Sequence, residues 1–213
     1  ISLTTTLGLG FILGKALGIK AKLSHLIGVG TAICGGSAIA AVAPTIKAEP
    51  AEISVSLAIV FILNALALFI FPVVGHWLDL TQSQFGVWAA IAIHDTSSVV
   101  GAASKYGSDA LQIATTLKLT RALWIVPMVL LSALLFKSKD TKLNLPLFIP
   151  LFLLASILYT FVPVVSEAAP TIVLIAKKLL LLILFLIGIN LNLVTLRTIS
   201  ARPFLQGFIL WIM

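Results

Sequence analysis

The chain has 213 residues, 60% of them hydrophobic and 10% charged, with a formal charge of +7 and a mean hydropathy of +1.18. A soluble domain of this size could not hide so much apolar surface, so the solvent is lipid and the expected class is an all-α, polytopic membrane protein. The positive charge does not indicate nucleic acid, because the cations fall mostly in short loops between apolar runs, and the single cysteine, Cys34, excludes an internal disulfide.

In chain order, about eight spans are expected, over 3–17, 27–44, 53–74, 85–104, 110–136, 147–164, 172–193 and 204–213. The chain starts at Ile1 and stops at Met213 inside apolar runs, so further helices are expected at both ends. The second span is anomalous. Gly28, Gly30, Gly35, Gly36, Thr31, Ser37 and Cys34 stand where lipid-facing helices carry large apolar side chains, and each glycine lowers helix propensity by about 1 kcal/mol. A helix broken at Cys34-Gly35-Gly36-Ser37 is one reading, since irregular backbone at membrane depth lines cavities in transporters. Close helix packing through small residues is the other. The third span is conventional except for Asn64 near its middle, and the loop after it holds His76, Asp79 and Gln82.

The fourth span, 85–104, places Ile93-His94-Asp95-Thr96-Ser97-Ser98 at its centre. A charge at that depth costs roughly 2.5–3.5 kcal/mol on insertion scales, so such groups face a cavity or a partner. A His-Asp pair that merely staples helices together is the competing explanation. A zinc site is not expected, because no second cluster of ligands accompanies His94. The fifth span carries Thr115, Lys118 and Arg121 on one helical face and is expected to bend at Pro127. Two cations on one intramembrane face call for an anion. Snorkelling to the interface explains Lys118 more readily than Arg121, and it suffices for Lys177 and Lys178.

If every span crosses, one set of loops holds Lys15, Lys20, Lys22, Lys137, Lys139, Lys142, Arg197 and Arg202, and the other Lys47 and Lys105. That bias makes the first side cytoplasmic, and it requires both anomalous spans to cross or both to be re-entrant. The two anomalous spans also share a faint similarity at an offset of 60 residues, with Ala32, Ile33 and Ser37 matching Ala92, Ile93 and Ser97. With every span crossing, the two would run in the same direction, unlike the inverted broken helices of many secondary transporters.

Thr31-Ala32-Ile33-Cys34-Gly35-Gly36-Ser37-Ala38-Ile39-Ala40-Ala41-Val42-Ala43-Pro44, then Ile93-His94-Asp95, then Lys118-Leu119-Thr120-Arg121, resemble in order and spacing the YeiH-type bacterial membrane proteins, often labelled sulfate exporters. The resemblance covers essentially the whole chain. It implies an inner-membrane protein of roughly ten helices with discontinuous spans, grouped with the bile-acid symporter and cation-proton antiporter folds, and hence about three helices before Ile1. The run Asp95-Thr96-Ser97-Ser98 is more hydroxylated than that pattern.

The expected function is therefore secondary transport or export of a small anion, sulfate- or sulfonate-like, coupled to a proton or sodium ion, with no cofactor and no enzymatic chemistry. The expected substrate-binding residues are Cys34, Gly35, Gly36, Ser37, His94, Asp95, Ser97, Ser98, Lys118 and Arg121. Backbone N–H groups around Gly35 to Ser37 would cradle the anion, Lys118 and Arg121 would neutralise it, and His94 and Asp95 would carry the coupling proton. Cation-proton antiport at Asp95 and a membrane-embedded enzyme using the His94–Asp95 pair are the alternatives. The expected partners are the anion, the coupling ion and the bilayer, and a homo-oligomer is compatible with the sequence.

Overall fold

The computed structural model describes residues 2–136, 148–190 and 200–212, and all the regular structure among them is helical. The helices are α1 Ser2–Ala16, α2 Ala21–Ala32, α3 Gly36–Thr45, α4 Pro50–Trp77, α5 Gln82–Ala92, α6 Thr96–Tyr106, α7 Ser108–Ala122, α8 Ile125–Leu135, α9 Phe148–Phe161, α10 Pro163–Asn190 and α11 Ala201–Ile212. The loop cations Lys137, Lys139, Lys142 and Arg197, residues 191–193 and the side chain of Lys177 lie outside this description, while Lys178 is exposed.

Among the described residues two stretches are long and apolar enough to cross a bilayer, Pro50–Trp77 and Ser108–Leu135, each of 28 residues. At 1.5 Å per residue each is about 42 Å long, more than a hydrocarbon core of about 30 Å. α4 starts sharply because Pro50 follows a capping box, in which Glu52 accepts the backbone N–H of Glu49 at 2.9 Å. The second stretch tightens between α7 and α8, where Trp124 N–H bonds the Arg121 carbonyl at 3.1 Å and Val126 N–H bonds that of Leu123 at 3.3 Å. Pro127 is the cause: it has no N–H to give and its ring crowds the carbonyl of Leu123.

Both anomalous stretches are broken, and both fold back on themselves. α2 ends at Ala32 and α3 starts at Gly36, yet the far ends of the two helices meet again, with Lys22 Nζ donating to the Lys47 carbonyl at 2.7 Å. The Lys20–Glu49 ion pair, 3.5 Å and well exposed, closes the same base. Midway, a Cβ on Gly30 would lie 2.9 Å from Ile39, which only a hairpin brings about. The second hairpin, α5–α6, repeats the plan. Its base is closed by Gln82, whose Oε1 accepts the N–H of Asp109 at 3.0 Å and would clash at 2.1 Å with any side chain at position 107, hence Gly107. The Tyr106 ring stacks on Phe85 with centroids 3.8 Å apart, and its hydroxyl donates to the Leu80 carbonyl.

Of the two arrangements that the charge bias allows for 27–44 and 85–104, both crossing or both re-entrant, the hairpins have the geometry of the second, and Lys47 then lies at the same end as Lys22. The direction of the hairpins differs from that of two crossing spans. α4 starts beside the first base and ends beside the second. α7–α8 runs the other way, since His25 near the first base bonds Ser132 at 2.8 Å and packs on Phe136. The hairpins therefore enter from opposite ends. Each is followed by a long spanning helix, so residues 21–77 and 82–135 are two copies of one plan, inverted. The matched residues occupy matched places: Ile33 and Ile93 terminate α2 and α5, and Ser37 and Ser97 are the second residues of α3 and α6.

α1 and α11 pack on α2. Their joint is polar, with Gln206 Nε2 donating to the Gly10 carbonyl and to Ser24 Oγ, both at 2.8 Å, and Gly14 leaving space for Ser24. α10 packs against α9 and touches α6, and most of the described side chains of α9 and α10 are exposed apolar groups.

Candidate functional site at the hairpin tips

The two breaks meet in the middle of the molecule. Gly35 lies directly against the backbone of His94, where a Cβ would sit 3.5 Å from the His94 carbonyl carbon and 3.0 Å from Val60. Its φ of +65° and ψ of −123° suit glycine, and its N–H reaches back to the Gly30 carbonyl at 2.8 Å, which closes the turn. Unwinding a helix in mid-chain leaves carbonyls at one cut end and N–H groups at the other, and buried polar backbone must find partners. Three of the four cut ends are met by side chains.

The C-terminal end of α2 is met by Arg121, whose Nε donates to the Ala32 carbonyl at 2.7 Å; an Nη1 contact to the Ile91 carbonyl is longer, at 3.4 Å. Lys118 meets the end of α5, with Nζ 2.6 Å from the Ile93 carbonyl and 3.3 Å from that of Ala90. A cation at a helix C-terminus also opposes the macrodipole. The N-terminal end of α6 is capped by Asp95, whose Oδ2 accepts the N–H groups of Ser97 and Ser98 at 3.1 and 3.2 Å, together with the Ser97 hydroxyl. The fourth end, the start of α3, has no side-chain cap.

The extended residues between α5 and α6 are held from α4. Asn64 Oδ1 accepts the N–H groups of His94 and Asp95 at 3.1 and 3.2 Å. Each spanning helix thus grips the tip of the other copy's hairpin, α4 through Asn64 and α7 through Arg121. Sequence reasoning noted Asn64 as an oddity without giving it a role; an amide at mid-span was the available signal.

The structure gathers the predicted residues around the tips but divides their roles. Cys34 is 1% exposed and packs in the apolar cluster around Ile33, Ile39 and Val60. Gly36 lies against Phe61 and Leu57, and Ser37 is exposed. Ser97 and Ser98 are buried partners of Asp95. His94 is buried, and neither ring nitrogen has a partner; the Asn64 amide nitrogen and the Thr31 hydroxyl are likewise unpaired. Lys118 is 0% exposed, so the competing explanation that it snorkels to water does not apply, whereas Arg121, one turn on, is only partly buried.

Of the predicted set, Arg121 lines a cavity of about 460 Å³, which runs from the end of the molecule where α4 finishes down to Thr31 and Ala92 beside the tips. Its walls carry Phe71, Trp88 and Trp211, which sequence reasoning missed because they come from three separate elements.

A helical membrane protein built on two opposed, broken hairpins with a cationic crossing point is the class these observations define. The chain matches the family model described as Conserved hypothetical protein 698 over residues 1–207, and it belongs to that family, which is the YeiH type. It is similar to proteins named UPF0324 membrane protein from Bacteroides thetaiotaomicron (52% identical, covering 100% of this chain and 65% of the relative) and Photobacterium profundum (53%, covering 99% and 65%). The Porphyromonas gingivalis relative is 54% identical over 100% of this chain and 66% of its own length. The chain therefore spans just under two thirds of these relatives. No solved structure matches it.

Proposed function

We propose that the protein is a multi-pass secondary transporter of a bacterial inner membrane that exports a small oxyanion with ion coupling. The observation that carries this reading is the meeting of two oppositely inserted hairpin tips at mid-depth, with Arg121 partly free beside them. Discontinuous helices whose cut ends converge at the bilayer centre are how secondary transporters hold ions and charged substrates. Arg121 spends one strong hydrogen bond on Ala32, and a guanidinium has five N–H donors, so several remain for an anion. His94 and Asp95 sit across the same junction and serve as the proton-handling pair.

Orientation follows from charge. Lys15, Lys20, Lys22, Lys47 and Arg202 gather at the first hairpin base, against Lys105 at the other end, so the first base faces the cytoplasm. Cation-proton antiport is less well supported, because that mechanism pairs Lys118 with Asp95, and here Lys118 is engaged by backbone carbonyls. The test is a thermal-shift screen of the purified full-length protein against sulfate, sulfite, sulfonates and carboxylates, since a ligand that binds the native state raises the midpoint by mass action. Selective stabilisation by one class supports export of that class; a flat response across all of them overturns the anion reading.

A further inference from the structure

We infer that the transported oxyanion carries a flat apolar body, as an aryl sulfonate or aryl carboxylate does, and that the cavity ending at Arg121 holds it head-down. This deepens the anion reading and rests on it. The cavity's volume falls within the range of about 300–1,000 Å³ typical of small-molecule sites. A lone tetrahedral oxyanion, only a few waters in size, would leave most of it unfilled.

Its lining has a polar floor and an aromatic wall. Among the described lining residues Arg121 is the one ionisable side chain, so the site selects for negative charge. Beside Arg121 the aromatic rings form a continuous surface. Phe71 stacks on Trp88 with centroids 4.4 Å apart and 22° between planes, and Trp211 meets Phe71 at 5.6 Å. Flat ligands gain from such faces by offset stacking, which an inorganic anion cannot use.

The test compares sulfate, benzenesulfonate and benzyl alcohol on the purified full-length protein, by calorimetry and by tryptophan fluorescence. We expect benzenesulfonate to bind at least tenfold more tightly than sulfate and to quench fluorescence, with the quench diminished in Trp88→Phe. Trp88→Leu should weaken benzenesulfonate about tenfold and leave sulfate unchanged. Because Arg121 also holds α2, the head-down contact is tested with Arg121→Lys, which keeps the charge and should weaken both anions at least tenfold. Sulfate binding as tightly as benzenesulfonate would overturn the aromatic-body inference while leaving anion export standing. Benzyl alcohol matching benzenesulfonate would overturn the head-down assignment, and no binding by either anion would overturn the anion reading itself.

Discussion

At the residue scale, Asp95 has two separable duties. Its carboxylate caps α6 through Ser97 and Ser98, and it stands at the tip where a coupling proton would be handled. Asparagine caps helices about as well as aspartate, whereas alanine costs about 0.5–2 kcal/mol. Asp95→Asn is therefore expected to fold and bind anion normally but to lose the pH dependence of transport, while Asp95→Ala loses stability as well. Proteoliposome uptake across a pH series, with melting curves for both variants, checks this; pH dependence surviving in Asp95→Asn would remove the residue from coupling. Lys118 and Arg121 separate in the same way. Arg121→Lys keeps the charge but not the forked donors, and losing one charge-assisted hydrogen bond of about 1.5–3 kcal/mol predicts a 10-fold to 100-fold weaker anion Kd. Lys118→Met is expected to act on stability instead, since it leaves the carbonyls of Ala90 and Ile93 without their donor. An equal change in anion Kd from both variants would refute that division.

At the scale of elements, the hairpin tips are held by a small set of side-chain hydrogen bonds, and these are open to test. Asn64→Leu removes the acceptor for the buried N–H of His94, at about 1–3 kcal/mol if it is stranded, and for the partly buried N–H of Asp95, and is expected to lower the melting temperature by several degrees. An unchanged melting temperature would mean that the tip finds other partners. Cys34 reports on motion of the first hairpin. Being 1% exposed, its thiol should resist a charged thiol reagent in resting membranes and react only when substrate drives turnover, if the hairpin moves during transport. Mass spectrometry of labelled protein with and without substrate distinguishes the two states, and equal labelling in both would mean a hairpin that stays put. Part of this architecture was legible from composition: glycines and hydroxyls in place of leucines offered the first break as one of two readings, and the His94–Asp95 pair marked the second stretch as anomalous without showing that it breaks. The fold-back was only half legible: the charge bias allowed both spans to cross or both to be re-entrant, and a hairpin and a crossing helix with a kink bury the same residues. What tells them apart is the pairing of Lys22 with Lys47 and of Gln82 with Asp109, contacts between residues some 25 to 27 positions apart that no local pattern encodes. Snorkelling of Lys118 stayed open for a similar reason: depth along its own helix allowed escape to water, whereas the carbonyls it satisfies belong to α5.

For the whole molecule, the fold-back makes a prediction about sidedness. With Cys34 replaced by serine, single cysteines at Lys22 and Lys47 should be labelled from one face of the membrane and a cysteine at Lys105 from the other. Labelling of Lys47→Cys from the face of Lys105 would restore a crossing second span. On the transport reading proposed above, the inverted pair of units also bears on direction. When a carrier is assembled from the same part used twice, facing opposite ways, its inward-open and outward-open shapes are close to interchangeable, and their energies lie near one another. A bias of only about 1.4 kcal/mol then shifts the ratio of the two tenfold, so the prevailing ion gradient, rather than the architecture, decides which way cargo moves. Whatever intrinsic asymmetry the protein has must arise where the copies differ, and the sharpest difference lies at the crossing point: α4 offers the neutral Asn64, and α7 offers the cations Lys118 and Arg121. Evolution could therefore reverse the traffic of such a machine by redecorating one helix, leaving its scaffold untouched.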